Sequence, residues 1–473
     1  MKPNRRLLAL CALALLVATA CGTRVSDQRL RAAAFIGDVQ SSTTTNATAA
    51  GAPGAAATAT TQPSSTAGGG VVSGGGGATT GGGAASAAGD SSAGGAAGAP
   101  AAAGPATGSE VAIGVLGTFN GPVGVYVKDF ATAVQVWGNW VNDHGGLNNH
   151  RVKVVVADDG GSPATFNSKA QQLVEQDHVL AFAFTTLGLA PGGNNAYLDS
   201  VGVPTFGQEG GLNKAYEDPY VLTAVPTGDT NAQAMMRGFA KAVASKGLSK
   251  IAILSCSDFS LCDNYDRQWS SPELQQATGL QVVYRARPSL TTPDFTSICI
   301  DARNAGAEGI LNGLDTASLN RLADACARQG YHPIIGLADL LARPELAVNP
   351  NADGAVVGTK MAPWFDARVP GIVTMTDAFA QYLPGSPVNG TLAAGWLAAR
   401  FLQAAAASLP AGNPTSKDFV DGLAGLNGTT LDGLTYPLNF TPGQPSPRVL
   451  CYSAAVVSNK TFVSVPGAPL DCA

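Results

Sequence analysis

Histidines and charged residues are scarce in this chain of 473 residues. It contains four histidines, and only 13% of its residues are charged. The 28 lysines and arginines are interspersed with 33 aspartates and glutamates, which gives a net charge of −5 and no basic stripe. Because nucleic-acid binding depends on clustered Lys and Arg, nucleic acid is not an expected partner.

The sequence also lacks the short motifs that carry catalysis or metal binding. It has no HExxH, no GxxxxGK[ST], no GxSxG, and no GxGxxG after a strand. The cysteines form no CxxC pair, and no histidine stands near them at zinc-ligand spacing. The histidines each fall in an apparent turn or at the edge of an element: His144, His150, His178 and His332. We therefore expect neither an enzyme nor a bound metal or cofactor.

The only long apolar run lies at the N-terminus, and it is too short to cross a bilayer. The run covers residues 7–17. Basic residues precede it, and the small residues Ala18-Thr19-Ala20 follow it. This pattern predicts a signal peptide over residues 1–20 and export of the chain. The stretch "VATACGT" resembles a bacterial lipobox, which would place a lipid on Cys21 and the protein on the extracytoplasmic face of the cell membrane. An ordinary cleaved secretory signal is the alternative.

Residues 21–109 carry the expected lipid and a linker. From about residue 41 this segment is nearly all Ala, Gly, Ser, Thr and Pro, so it cannot bury a core. A disordered linker of this length has a root-mean-square reach of about 45 Å. We expect it to hold the folded part at a distance from the membrane.

The folded part, residues 110–473, is longer than one hydrophobic core usually serves, so two domains are expected. Strand-like and helical patterns alternate along it, which is typical of parallel sheets covered by helices. The predicted strands cover residues 111–117, 152–157, 179–186, 203–207, 251–255, 281–286, 309–313, 333–336 and 355–361. The predicted helices cover residues 129–143, 165–176, 194–200, 294–304 and 316–329, with a further helix capped by Asp229 or Thr230.

Six cysteines remain once Cys11 leaves with the signal peptide and Cys21 takes the lipid. An even number in an oxidising compartment predicts disulfides. Closeness in sequence suggests the pairs Cys256–Cys262, Cys299–Cys326 and Cys451–Cys472. Sequence alone permits fifteen pairings.

One long segment carries a family resemblance. It reads "IGVLGTFNGPVGVYVKDFATAVQVWGNWVNDHGGLNNHRVKVVVADDGGSPATFNSKAQQLVEQDHVLAFAF" and resembles the first lobe of the type I periplasmic binding proteins. It is most similar to the branched-chain amino acid (leucine/isoleucine/valine) binding proteins of ABC importers. The shared features are the N-G-P turn before Tyr126, the helix ending in "VNDHGGL", the strand closing on Asp158-Asp159 and the A-x-x-L-V helix.

The resemblance implies an α/β fold of two Rossmann-like lobes with parallel sheets, joined by a hinge with several crossovers. Lobe 1 is expected to comprise residues 110–226 and 364–440, and lobe 2 residues 227–363 and 441–473. In this family Asp158 and Asp159 correspond to scaffold, so we interpret them as loop hydrogen-bonding groups.

A ligand is expected in the cleft between the lobes, at the carboxyl ends of the strands. Thr185 and Thr186 resemble the hydroxyl residues that hold a ligand carboxylate in the family. Gly207 and Gly210 would let the backbone approach the ligand closely. These residues provide the polar and backbone contacts that are expected from lobe 1.

The remaining expected contacts are aromatic or acidic. Tyr126, Phe259 and Trp364 would form apolar walls, and the disulfide Cys256–Cys262 would close the loop that carries Phe259. A ligand ammonium needs a carboxylate, for which Asp229 and Asp339 are the candidates, with Asp315 in a similar position after a strand.

Together these patterns predict a monomeric, lipid-anchored solute-binding protein. It would pass a small amino-acid-like ligand, a branched-chain amino acid or an amide, to an ABC permease, and contact the membrane through its lipid alone. The alternative is an envelope lipoprotein of the same fold that senses a ligand without transport.

Overall fold

Residues 104–186, 195–208, 211–465 and 470–472 are described by a computed structural model. They belong to a unit that spans Gly94–Ala473. The second unit, Met1–Ala93, lies outside the described residues, as do the predicted signal peptide, the lipidation site Cys21 and almost all of the linker. Among the described helices, none is both long and apolar enough to cross a membrane.

The first half of the fold is built on a parallel sheet with the strand order β2-β1-β3. These strands are β1 (Glu110–Gly117), β2 (Arg151–Asp158) and β3 (Val179–Thr185). The predicted strand at residues 203–207 is present only as isolated bridges, from Thr205 to Phe182 and from Gln208 to Thr185. Pro204 interrupts this strand because it has no backbone N–H to donate.

Helix α1 (Gly121–Asp143) packs against this sheet. It starts eight residues before the predicted residue 129, because Pro122 is well suited to the first turn of a helix. Its predicted apolar face is buried, with Trp137 and Val141 fully enclosed. The following helices are α2 (Pro163–Glu175) and α3 (Ala196–Val201).

Asp158 and Asp159 have structural roles at the end of β2. Asp158 accepts hydrogen bonds from the N–H groups of Phe119 and Gly160, which lower its pKa against the opposing effect of burial. Asp159 accepts from the Thr118 hydroxyl at 2.7 Å, and burial raises its pKa. They tie the loops at this edge of the sheet together, as predicted.

The second half begins with helix α4 (Gly228–Val243). Its N-cap is Thr227, and not Asp229 or Thr230 as predicted, because Thr227 and Thr230 form a reciprocal capping box. The strands that follow are β4 (Lys250–Ser255), β5 (Gln281–Ala286), β6 (Gly309–Gly313), β7 (Ile334–Ala338) and β8 (Val356–Thr359).

The same half contains two helices that the sequence patterns did not predict, α5 (Ser260–Trp269) and α6 (Pro272–Thr278). The buried residues of α5 include Cys262, Tyr265 and Trp269, which lie on one helical face. Charged residues between them obscure this periodicity. The next helices are α7 (Thr296–Asn304), α8 (Thr316–Arg328) and α9 (Pro344–Ala347).

The C-terminal part supplies helices to the first half and strands to the second sheet. The helices are α10 (Pro370–Tyr382), α11 (Gly390–Ala405) and α12 (Ser416–Asp421). Strands β9 (Asn427–Thr429) and β10 (Leu438–Asn439) form a separate two-stranded sheet, whereas β11 (Cys451–Ser458), β12 (Thr461–Ser464) and β13 (Asp471–Cys472) extend the second sheet.

Helix α11 packs closely on α1. A Cβ at Gly395 would lie 2.8 Å from the carbonyl oxygen of Phe130, so this close approach depends on glycine. The Trp137 indole donates to Gln403 Oε1 at 3.1 Å across the same contact.

The second sheet has the strand order β12-β11-β8-β7-β6-β4-β5, and β13 pairs with β11. Strands β4 to β8 are parallel, whereas β11 runs antiparallel to β8. Most of these strands end at the positions where polar or glycine residues begin in the sequence. Because β4 to β8 are parallel, their carboxyl ends share one edge of the sheet.

All three predicted disulfides are present. Cys256–Cys262 closes a short loop after β4, Cys299–Cys326 joins α7 to α8, and Cys451–Cys472 joins β11 to β13.

Candidate ligand-binding site

A cavity of about 130 Å³ lies at the carboxyl ends of three strands of the second sheet, and we call it the apolar cavity. Cys256 follows β4, Gly313 ends β6 and Ala338 ends β7, and all three line it. The first half contributes Tyr126 and Phe130 from α1. The cavity thus lies between the first half of the fold and the second sheet, and most of its wall is hydrocarbon.

Tyr126 lies in this wall, as predicted for a ligand contact. The guanidinium of Arg343 is 5.0 Å from the centre of its ring. Burial and the charge of Asp315 raise the pKa of its hydroxyl, against the opposing effects of the Ala317 backbone and Arg343. The hydroxyl therefore stays protonated and neutral at physiological pH.

Phe259 lines the same cavity together with Cys256 and Cys262. It is the residue before α5, and the disulfide joins Cys256, three residues before it, to Cys262 in the first turn of α5. The bridge therefore limits how far Phe259 can move from the cavity.

A second cavity of about 20 Å³, the small cavity, adjoins the first. Phe130 and Leu340 line both cavities, so the two are neighbours across these side chains. Gly207, Gln208 and Lys360 also line the small cavity. Its volume suits one water-sized group.

Asp339 and Lys360 are oppositely charged residues near the boundary between the two cavities, and Lys360 lines the small cavity. Asp339 directly follows β7 and Lys360 directly follows β8, which are adjacent parallel strands. They are 3% and 5% exposed. Asp339 Oδ1 accepts from the Leu340 N–H at 2.9 Å, whereas Oδ2 has no hydrogen-bond partner among the described residues. Burial raises the pKa of Asp339, and the positive charge of Lys360 opposes this effect.

Helix α11 begins directly against Asp339. A Cβ at Gly390 would lie 2.1 Å from the carbonyl oxygen of Asp339, so a larger residue there would displace the acid. Thr391 lines the apolar cavity and donates to the Leu340 carbonyl at 3.1 Å. These contacts fix the segment that separates the two cavities.

Thr185 and Thr186 do not line either cavity. Both are fully buried at the end of β3. Thr186 Oγ1 accepts from the Thr118 N–H at 2.9 Å, while Thr185 Oγ1 has no partner in the described part of the chain. Gly207 does line the small cavity, whereas Gly210 lies outside the described residues.

Asp229 and Trp364 also lie away from both cavities, which corrects their expected positions. Asp229 is in the first turn of α4, where its Oδ2 accepts from the Asn213 side chain at 2.8 Å. Trp364 is 4% exposed and packs edge-on against Phe462 of β12, with ring centres 5.1 Å apart. Local hydrogen bonding and apolar packing account for these positions.

The sequence patterns did not predict that Phe130, Leu340 and Lys360 line the cavities. Phe130 and Leu340 have no sequence signal that separates them from core residues. Lys360 had one, because it directly follows a strand of the parallel sheet, the same rule that selected Asp339.

Two valine substitutions at the end of β3 are expected to affect stability differently. Thr186→Val leaves the Thr118 N–H without its acceptor, so the free energy of unfolding should fall by about 1–3 kcal/mol. Thr185→Val removes a buried hydroxyl that has no partner and should leave stability unchanged or slightly higher. Urea unfolding of both variants measures the difference. An equal loss in the two variants would contradict these hydrogen-bond assignments.

Two largely parallel sheets covered by helices, with cavities at the carboxyl ends of strands between them, define the class of two-lobed α/β ligand-binding proteins. The chain matches the periplasmic binding protein family over residues 110–459. It therefore belongs to this family, whose members are solute-binding proteins and not enzymes. Among the described residues no group of three or more His, Cys, Asp or Glu side chains is placed to hold a metal ion.

Solved structures share this fold at low sequence identity. A branched-chain amino acid ABC transporter protein from Thermus thermophilus with bound valine superposes with a TM-score of 0.64 and 16% identity, covering 77% of this chain and 97% of its own. A fatty acid ABC transporter substrate-binding protein from Thermomonospora curvata gives 0.63 and 19%, covering 78% and 94%. A solute-binding protein from Rhodopseudomonas palustris BisB5 in complex with 3,4-dihydroxybenzoic acid gives 0.60 and 15%, covering 76% and 98%. No curated protein matches the chain in sequence.

Proposed function

We propose that this protein is a lipid-anchored, extracytoplasmic solute-binding protein of an ABC importer. Its ligand is a small, amino-acid-like molecule bound between two lobes, and a permease receives it. The observation that carries this proposal is the apolar cavity at the strand ends, with the buried Lys360 in the wall of the adjoining small cavity and the buried Asp339 at the end of the neighbouring strand.

The size of the apolar cavity favours a ligand with a short hydrocarbon body. A cavity of about 150 Å³ is large enough for benzene, and this one holds about 130 Å³. The side chain of a branched-chain amino acid is within this limit. The Thermus protein binds valine, the Rhodopseudomonas protein binds 3,4-dihydroxybenzoic acid, and the Thermomonospora protein belongs to a fatty acid transporter; each of these molecules combines a carboxylate with a hydrocarbon body.

The lobe division proposed for this chain is residues 110–226 with 364–440, and residues 227–363 with 441–473. The packing of α11 on α1 and the pairing of β11 with β8 support it. A ligand that contacts both lobes would favour the closed conformation, which is how such proteins couple binding to closure.

Calorimetry of the purified protein with leucine, isoleucine, valine and acetamide tests the ligand class. We expect the branched-chain amino acids to bind more tightly than acetamide, because only they fill the apolar cavity. Phe259→Ala is expected to weaken leucine binding, whereas Phe462→Ala, which alters the packing around Trp364, serves as the control. Absence of binding by every member of the panel would refute the amino-acid-like assignment.

A transport role is separated from a sensing role by uptake. Cells that lack the protein should lose uptake of the labelled ligand if it serves a permease. Unchanged uptake would favour the sensing alternative.

The Cys21→Ser variant is expected to leave the membrane fraction. The small residues before Cys21 and the lipobox-like stretch support lipid attachment at this thiol. Because no other apolar run in the sequence is long enough for a span, loss of the lipid should release the protein. Fractionation of cells that express the wild type or the variant measures this. An unchanged distribution would refute the lipid anchor.

A further inference from the structure

The side chain of Lys360 has an unusual environment for a lysine. It is 5% exposed, and within the described part of the chain its ammonium makes no hydrogen bond and no close ion pair. Its positive charge acts on the carboxyl group of Asp339, which follows the adjacent strand. Lysine is almost never buried unless it is paired, since an isolated buried charge is costly. The arrangement therefore lacks an anionic partner for Lys360.

Two buried hydrogen-bond acceptors near Lys360 also lack partners among the described residues. Gln208 lines the small cavity with Lys360, and its Oε1 has no hydrogen bond among the described residues. Asp339 Oδ2 is in the same state. Lys360 and Gln208 thus border a space for one water-sized group beside the apolar cavity, and Asp339 is next in the chain to Leu340, which lines both cavities.

We propose that Lys360 binds the carboxylate of the ligand and selects for ligands that carry one. This inference rests on the proposed function, and it assigns the carboxylate to a residue other than Thr185 and Thr186. Those threonines line neither cavity, and the Thr186 hydroxyl is already engaged by the Thr118 N–H. Lys360 lines the small cavity, and its ammonium donates no hydrogen bond among the described residues.

Charge balance predicts how ligands rank. A zwitterion places a carboxylate oxygen at Lys360, so that the lysine gains an anionic partner, while the negative charge of the nearby Asp339 attracts the ligand ammonium. A carboxylate without an ammonium satisfies Lys360 alone. An amine without a carboxylate leaves Lys360 unpaired and adds a second positive charge, which is unfavourable at low dielectric.

Three probes with similar hydrocarbon bodies separate these contributions: leucine, 4-methylpentanoate and 3-methylbutylamine. Calorimetry on the wild type is expected to rank leucine first and 3-methylbutylamine last. The Lys360→Met variant retains a long side chain without the charge. It is expected to weaken leucine and 4-methylpentanoate at least tenfold, since hydrogen bonds to a charged group contribute about 1.5–3 kcal/mol and 1.4 kcal/mol is a factor of ten. Its affinity for 3-methylbutylamine should not fall.

The matched control is Lys246→Met, which removes the same charge from an exposed position and should bind all three probes like the wild type. Leucine binding that survives Lys360→Met overturns the role of Lys360 and leaves the proposed function standing. An equal loss for all three probes indicates general damage and also overturns it. Failure of the wild type to bind any probe refutes both proposals. The wild-type ranking tests the inference even where the variant does not fold, because an amine that binds as tightly as leucine contradicts it.

Discussion

Removal of the Cys299–Cys326 disulfide is expected to lower the free energy of unfolding by about 3.5 kcal/mol. This bridge joins α7 to α8 and encloses the longest of the three disulfide loops, with a sequence separation of 27. A cross-link restricts the unfolded chain more strongly as the loop lengthens. Both cysteines are fully buried in the core of the second half, so solvent does not replace the packing contacts that their sulfurs lose.

The other two bridges are internal standards for this experiment. Cys256–Cys262, with a separation of 6, should contribute about 2.5 kcal/mol on the same loop-entropy basis. Cys451–Cys472 has an intermediate separation of 21. Urea unfolding of the three double alanine variants should rank them by separation. A larger loss for Cys256–Cys262 than for Cys299–Cys326 would show that loop entropy does not govern their stability.

The Arg343→Met variant is expected to bind leucine at least tenfold more weakly. Arg343 follows β7 of the second sheet, and its guanidinium lies 2.6 Å from Asp129 Oδ2 on α1. Asn389 donates to the same oxygen at 3.0 Å. Both charged side chains are about 15% exposed or less, so the pair is more strongly shielded from water than a surface ion pair.

Loss of one partner from a fully buried ion pair costs about 3–5 kcal/mol. With the exposure seen here we expect about 2 kcal/mol, which exceeds one decade in affinity. Since the pair links α1 of the first half to the segment after β7 of the second sheet, this loss should fall on the closed conformation. Arg343 also covers the ring of Tyr126, so its removal loosens one wall of the cavity.

A double-mutant cycle checks whether the pair itself is responsible. Asp129→Asn together with Arg343→Met should be little worse than either single change, because the interaction is already lost. Arg368, whose side chain is 79% exposed in its pair with Asp366, provides the control, as ion pairs with an exposed partner contribute little. Fully additive losses at positions 129 and 343, or an equal effect of Arg368→Met, would contradict a specific link at the cavity.

Much of the fold followed from local patterns. The strand at residues 281–286 was predicted to the residue, and the buried face of α1 matches the predicted spacing of Trp137 and Val141. These features depend on periodicity within one element, which is visible in the sequence. The pairing of the cysteines also followed from closeness along the chain, because each bridge joins neighbouring elements.

The predicted helix boundaries were less accurate where one or two residues determine the residue at which the helix begins. Pro122 extended α1 towards its N-terminus, and the capping box at Thr227 moved the start of α4. The charged residues of α5 concealed a buried face that only packing reveals. The starts of α1 and α4 thus depended on short-range preferences that apolar periodicity does not contain, whereas the buried face of α5 depended on tertiary packing.

The sequence by itself determined the class of fold and the rule that polar residues after strands are candidates for the site. Only the tertiary structure decided which candidates share a cavity. It placed Tyr126, Phe259 and Gly207 around two adjoining cavities, buried Thr185 beside neither, and packed Trp364 against β12. The physical reason is that the cavities form between segments far apart in the chain, as the contact of Asp129 with Arg343 across 214 residues illustrates. Periodicity fixes the face of an element, whereas the packing of two halves fixes which faces meet.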